Sequence, residues 1–195
     1  MRWFSVFRRP AERIAAESLY IEIVTQARAP GFYAACCVPD TPDGRYDMIM
    51  AHLALMLRRL HRHPAETRRL SQSLFDLMFA DMDQNLREMG VGDLAVGKRV
   101  KAMAKAFYGR LAAYDAALSA SDNASLASAL LRNVYRKSNP GDAQVAVLVG
   151  YLCAEADRLD AAPLSGLLAG NWSFGSPPSA QASREPLFLD SASPC

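Results

Sequence analysis

Residues Ser71 to Leu118 read SQSLFDLMFADMDQNLREMGVGDLAVGKRVKAMAKAFYGRLAAYDAAL, and their apolar spacing decides the fold. In the second half, Val96, Val100, Met103, Phe107, Leu111, Tyr114 and Leu118 recur at steps of 4, 3, 4, 4, 3 and 4 residues. That is the period of one helix face, and the two-residue period of a strand cannot produce it. In the first half, Leu74, Met78, Met82, Leu86 and Met89 line a similar stripe, which Phe75, Leu77 and Phe79 widen. Gly90-Val91-Gly92-Asp93 joins the two, with Gly90 placed to end one helix and Asp93 to cap the next. The first segment is apolar and acidic, the second apolar and basic. Neither holds a catalytic motif, so the pair points to a helical recognition module rather than an enzyme.

Outward from this hairpin the pattern stays helical. Pro10 suits a first helical position, and Tyr20, Ile23, Val24 and Ala27 share a face of a helix from Ala11 to Ala27 that Pro30-Gly31 ends. Phe32 to Gly44 reads as a long loop rich in Pro, Asp and Gly, anchored by Phe32, Tyr33 and Val38. A second helix starts near Arg45 and carries Ile49, Leu53, Met56 and Leu60; a third begins around Ala65. After Leu118, Ser121-Asp122-Asn123 breaks the chain, and helices follow over Ser125 to Arg136 and Ala143 to Leu159, with a last turn at Pro163 to Leu168. The expectation is a single all-α domain of about six helices over residues 11–170. A basic and aromatic arm, 1–10, precedes it. A flexible Ser/Pro-rich tail, 171–195, follows, in which Gly175 to Ser179 is not expected to form a packed element.

Bulk properties narrow the function classes. A chain of 195 residues with 51% hydrophobic content is long and apolar enough to bury a core, which excludes a disordered protein. A formal charge of +2 gives no global case for nucleic acid. Cys36, Cys37, Cys153 and Cys195 form no C-x-x-C pair and read as free thiols in a reducing compartment. No metal or other cofactor is expected. No apolar run reaches the roughly 18 residues of a membrane span, and Trp3 to Phe7 is too short for a secretion signal. The arm still places Trp3, Phe4 and Phe7 among Arg2, Arg8 and Arg9, a composition suited to packing on the body or to an anionic membrane surface.

Among groups that carry chemistry, Asp81 and Asp83 invite comparison with a metal or acid–base pair. Residues two apart on a helix point roughly 200° away from each other, so they do not converge. Asp83 is expected to pair with Arg87, and Asp81 with Asn85. His52 reads as a helix-packing histidine, and no P-loop, dinucleotide fingerprint or nucleophile elbow is present. Lys98, Arg99, Lys101 and Lys105 are the best binding candidates, because no acid interrupts the chain between Asp93 and Asp115. Such a strip suits acidic protein, RNA or anionic lipid. An alternative reading is therefore a helical nucleic-acid or ribosome-binding module built on the Lys98–Lys105 face.

Longer matches add a family. Gln26-Ala27-Arg28, Phe32-Tyr33, Val38-Pro39-Asp40-Thr41-Pro42-Asp43-Gly44-Arg45-Tyr46-Asp47, Phe75 to Asp83, Leu86 to Asp93, Val96 to Lys101 with Met103, and Ala106 to Arg110 resemble the ubiquinol–cytochrome c chaperone family. The resemblance covers about residues 19–135. It implies a non-enzymatic assembly factor for respiratory complex III that binds cytochrome b or a related subunit before assembly, with a small partner protein in mitochondrial members. About ten residues precede the first helix here, so the chain looks like a bacterial member, acting in the cytoplasm or peripherally on the inner membrane. The resemblance carries Pro39, Asp40, Asp43 and Arg45 over as binding candidates beside Lys98, Arg99, Lys101 and Lys105.

Overall fold

Helix α3, Pro42–His61, is the element around which the others pack. Every residue from Asp47 to Leu60 is buried, so this helix is enclosed on all sides rather than amphipathic. The computed structural model describes residues 11–136 and 138–179, which form α1 (Ala11–Ala27), α2 (Pro30–Ala34), α3, α4 (Pro64–Glu88), α5 (Asp93–Ser119), α6 (Asn123–Leu130), a π-helical turn (Leu131–Tyr135), α7 (Asp142–Ala161) and α8 (Leu164–Leu168). No strand occurs among the described residues. Helix α3 contacts α1, α4, α5, α7 and the π turn, while α4 also packs on α1 and α5. The fold is all-α. Its six long segments are those the periodicity predicts, with α6 and the π turn counted as one. The arm residues Trp3, Phe4, Phe7, Arg8 and Arg9, and Cys195, lie outside the described residues.

Local chemistry explains the element ends. Pro30, Pro42 and Pro64 each occupy the first turn of a helix, where a missing N–H costs nothing. Sequence reading takes the first two as breakers; the structure uses them as starts. Helix α3 therefore begins three residues before Arg45, and α2 interrupts the expected loop. The Thr41 hydroxyl accepts the Gly44 amide at 3.1 Å and caps α3. Gly44 itself must lack a side chain, because a Cβ there would run into the Pro39 carbonyl. Asp93 differs from expectation in a similar way. Gly92 is the N-cap of α5, and the Asp93 carboxylate instead bonds Arg87 of α4, which also donates to Asp83 at 2.6 Å.

Two arginines inside α3 tie it to α7. Arg59 donates to the carbonyls of Leu159 (2.8 Å) and Ala162 (3.0 Å), satisfying groups that the end of α7 leaves open. Arg58 pairs with Asp160 at 2.9 Å and with Asp115 of α5 at 3.1 Å. Between α3 and α4, Thr67 donates to the carbonyls of Leu60 and His63 and fixes the turn.

The packed chain runs beyond α8. Residues 171–179 have no regular secondary structure, yet they lie along the body. Phe174 meets the His52 ring edge-on at 5.0 Å, and the Arg158 guanidinium sits 5.2 Å from the Trp172 ring centre. The Gly175 amide donates to the buried Glu155 carboxylate at 3.0 Å, and its carbonyl accepts from Gln26 at 2.8 Å. Side chains of α1 and α7 thus satisfy the backbone that a helix or sheet would otherwise satisfy. Residues 180–195 lie outside the described residues.

Candidate binding groove

Residues at the start of α3, on α4 and on α5 line an open groove of about 850 Å³. Its floor is apolar and rich in methionine: Ile49 and Met50 of α3, Met82 and Leu86 of α4, Met103 of α5, with Met89 exposed at one end. Methionine side chains adapt to apolar partners of varied shape. The rim carries Arg28, Arg45, Arg99, Arg110 and Arg136 against Asp40, Asp43 and Asp81. Cationic guanidiniums therefore outnumber carboxylates around an apolar floor.

One wall is held by a buried carboxylate. Asp47 accepts from Arg110 at 2.6 Å and from Arg136 at 2.7 Å through the same oxygen. Burial pushes its carboxyl above the usual range, and the two guanidiniums only partly offset that. The other Asp47 oxygen, Arg110 Nε and the Tyr46 hydroxyl are buried without a hydrogen-bond partner in this structure. The opposite wall is fixed by Asp81, which accepts from Tyr20 of α1 at 2.8 Å and from Asn85 at 2.9 Å. Burial and the neighbouring Asp81 charge raise the Tyr20 phenol far above its ordinary value, so it stays a donor. Asp81 is engaged in structure, and Asp83 is bonded to Arg87 rather than aimed with Asp81 at a common point.

The residues singled out in the sequence separate into two groups. Asp40, Asp43 and Arg45 converge with Arg99 on the groove, and Arg45 donates to Asp40 at 2.6 Å. Pro39 stands behind them, its carbonyl accepting the Thr41 amide at 2.9 Å. Lys98, Lys101 and Lys105 are exposed but do not line the groove. At 100° per residue they lie roughly 120° around α5 from Arg99, Ala102, Met103 and Ala106, which do. Arg28, Arg110 and Arg136 line the groove as well and are not among the sequence candidates. Only Arg110 carried a local signal, since Arg99, Met103, Ala106 and Arg110 repeat at i, i+4, i+7 and i+11.

Two other groups that could carry chemistry, His52 and Cys36, are closed off. His52 is fully buried between the Met48 carbonyl (2.8 Å) and the Tyr151 hydroxyl (3.0 Å). Gln26 donates to that hydroxyl at 2.9 Å, so Tyr151 donates onward to His52 Nε2, and His52 Nδ1–H faces Met48. Burial lowers the imidazole to about 4, which keeps it neutral. Cys36 is buried, and burial pushes its thiol up to about 12. No group of three His, Cys, Asp or Glu suited to a metal occurs among the described residues, and no described helix is long and apolar enough to cross a membrane.

Comparison with known proteins is consistent across three levels. The family model described as Ubiquinol-cytochrome C chaperone matches residues 34–174. Ubiquinol-cytochrome c reductase complex assembly factor 1 of Mus musculus is 26% identical over 148 residues, covering 76% of this chain and 50% of that protein. The corresponding Xenopus laevis protein is 25% identical, over 76% of this chain and 74% of its own length. This chain thus spans about half the length of the mouse relative. The crystal structure of the Cbp3 homolog from Brucella abortus superposes with a TM-score of 0.78 at 38% identity, over 85% of this chain and 91% of that one. With the shared fold and a matched stretch that holds every groove residue except Arg28, this chain belongs to the ubiquinol–cytochrome C chaperone family.

Proposed function

We propose that this protein is an assembly chaperone for ubiquinol–cytochrome c reductase, and that it holds an apolar segment of cytochrome b in the groove between α3, α4 and α5 before the complex forms. The observation that carries this reading is an apolar, methionine-rich floor rimmed by arginine, lying within the family's matched stretch. An apolar client segment seated there loses contact with water, at roughly 25 cal/mol per Å² buried. Arginine on the rim pairs with carboxylates or carbonyl oxygens flanking that segment. The groove does no bond-making, since Asp81 and Asp47 are held in structural contacts and His52 is sealed in the core. The site acts by shielding a surface that otherwise aggregates. Its action is peripheral to the membrane, where the client inserts. Deletion of the coding sequence tests the reading: assembled complex III and its cytochrome b fall in membranes, and both return with the wild-type copy. Unchanged complex III in the deletion strain refutes it.

A further inference from the structure

The lysines that miss the groove form a second surface. Lys98, Lys101 and Lys105 are exposed and make no ion pair or hydrogen bond among the described residues. They run into Tyr108, which is 56% exposed one turn beyond Lys105. Beneath Tyr108 lies an aromatic ledge: Phe75 of α4 sits 5.3 Å from the Tyr108 ring and 4.4 Å from Phe79. From Lys98 to Tyr108 the strip is about 15 Å long. The acids of α4 nearest this ledge in sequence, Asp76 and Asp81, are hydrogen-bonded by Gln72 and by Tyr20 with Asn85, and Asp83 is ion-paired with Arg87. Along α5 itself the surface is cationic and aromatic, with no acid between Asp93 and Asp115 to neutralise it.

We propose that this face of α5 docks the chaperone on an anionic lipid bilayer. Lysine stems lie along apolar surface while their ammonium groups reach lipid phosphates, and an exposed tyrosine ring belongs at headgroup depth. Negative surface charge attracts each such lysine by a similar increment, so three in a row act together. Single-stranded RNA fits less well. Its bases stack on a run of open aromatic faces, whereas Phe75 and Phe79 are half-buried and packed against each other in a tilted pair, which leaves Tyr108 as the one exposed ring of this ledge among the described residues. Because the strip lies roughly 120° around α5 from the groove, docking on it leaves the groove uncovered.

Flotation of the full chain with phosphatidylcholine vesicles, with and without phosphatidylglycerol, tests this with lipid and protein alone, so its outcome is separate from client binding. Wild type floats with the anionic vesicles, stays behind with the neutral ones, and is released by salt. Lys101→Gln with Lys105→Gln lowers partitioning about thirtyfold with the melting temperature unchanged, because both side chains are exposed and unpaired among the described residues, and Tyr108→Ala lowers it severalfold. Four outcomes overturn the proposal: no preference of wild type for phosphatidylglycerol, a double variant that floats like wild type, loss of flotation that follows only Arg8→Gln with Arg9→Gln, or displacement from anionic vesicles by single-stranded RNA.

Discussion

Arg110 and Asp47, 63 residues apart in sequence, meet at 2.6 Å at the wall of the groove. Asp47 is almost wholly buried and holds Arg136 through the same oxygen, so one carboxylate joins α3, α5 and the turn after α6. Asp47→Asn leaves Arg110 with an uncompensated charge in a largely buried position, and breaking such a pair costs about 3 kcal/mol. The surface partner Asp43, 3.8 Å from Arg136, contributes little, and Asp43→Asn leaves stability unchanged. Urea denaturation of the two variants separates these outcomes. Equal stability of both would remove the structural role assigned to Asp47.

His52 makes stability depend on pH. Its folded value near 4 lies below its ordinary 6.5, so the unfolded chain binds the extra proton first. Stability contributed by the neutral ring is therefore present above about 6.5 and is lost as pH falls toward 4. That depression corresponds to about 3 kcal/mol at most. Denaturation midpoints measured across that range should fall in wild type. In His52→Gln the protein is weaker at neutral pH, but this part of the slope disappears. An unaltered slope would assign the acid sensitivity to other groups.

The segment 171–179 is held by backbone contacts that a small change can disrupt. A Cβ on Gly31 would collide with the Pro178 carbonyl. Gly31→Ala therefore lifts this segment from α2 and destabilises the protein by about 1–2 kcal/mol. In a Trp3→Phe background, Trp172 fluorescence shifts to the red and the segment becomes sensitive to protease. Unchanged fluorescence and cleavage would show that the contact is dispensable.

The groove can be filled without touching the core. Ala106 is exposed and lines it, so Ala106→Trp occupies the space with little effect on folding. Client capture and complex III assembly should fall at least tenfold while the melting temperature stays within about 2 °C of wild type. Arg99→Glu, which inverts one rim charge, should act in the same direction more weakly. Normal assembly with Ala106→Trp would place the client elsewhere.

The fold was readable because its signal is local. Val96 to Leu118 spells out one face of α5, and α4 does the same, so these helices needed no partner to be recognised. Asp83–Arg87 and Asp81–Asn85 were also legible, being one helical turn apart. What was not legible depends on distant contacts. Asp40, Asp43, Arg45 and Arg99 were each named, but their convergence follows from how α5 crosses the start of α3. Arg136 gave no warning, because its link to Asp47 spans 89 residues. Residues 171–179 have the composition of a linker, and only the distant side chains of Gln26, Glu155 and Arg158 hold them against the body. The lysine strip was visible as charge, yet sequence could not say that it faces away from the groove.

Photo-crosslinking from inside the groove tests the central claim most directly. With a photoreactive residue at Met103 and a control at the surface residue Gln72, cells are irradiated during synthesis of complex III. Cytochrome b should attach at position 103 and not at position 72, and the adduct should vanish in Ala106→Trp. Capture of cytochrome b from position 72 alone, or equally from both, would contradict the groove as its binding site.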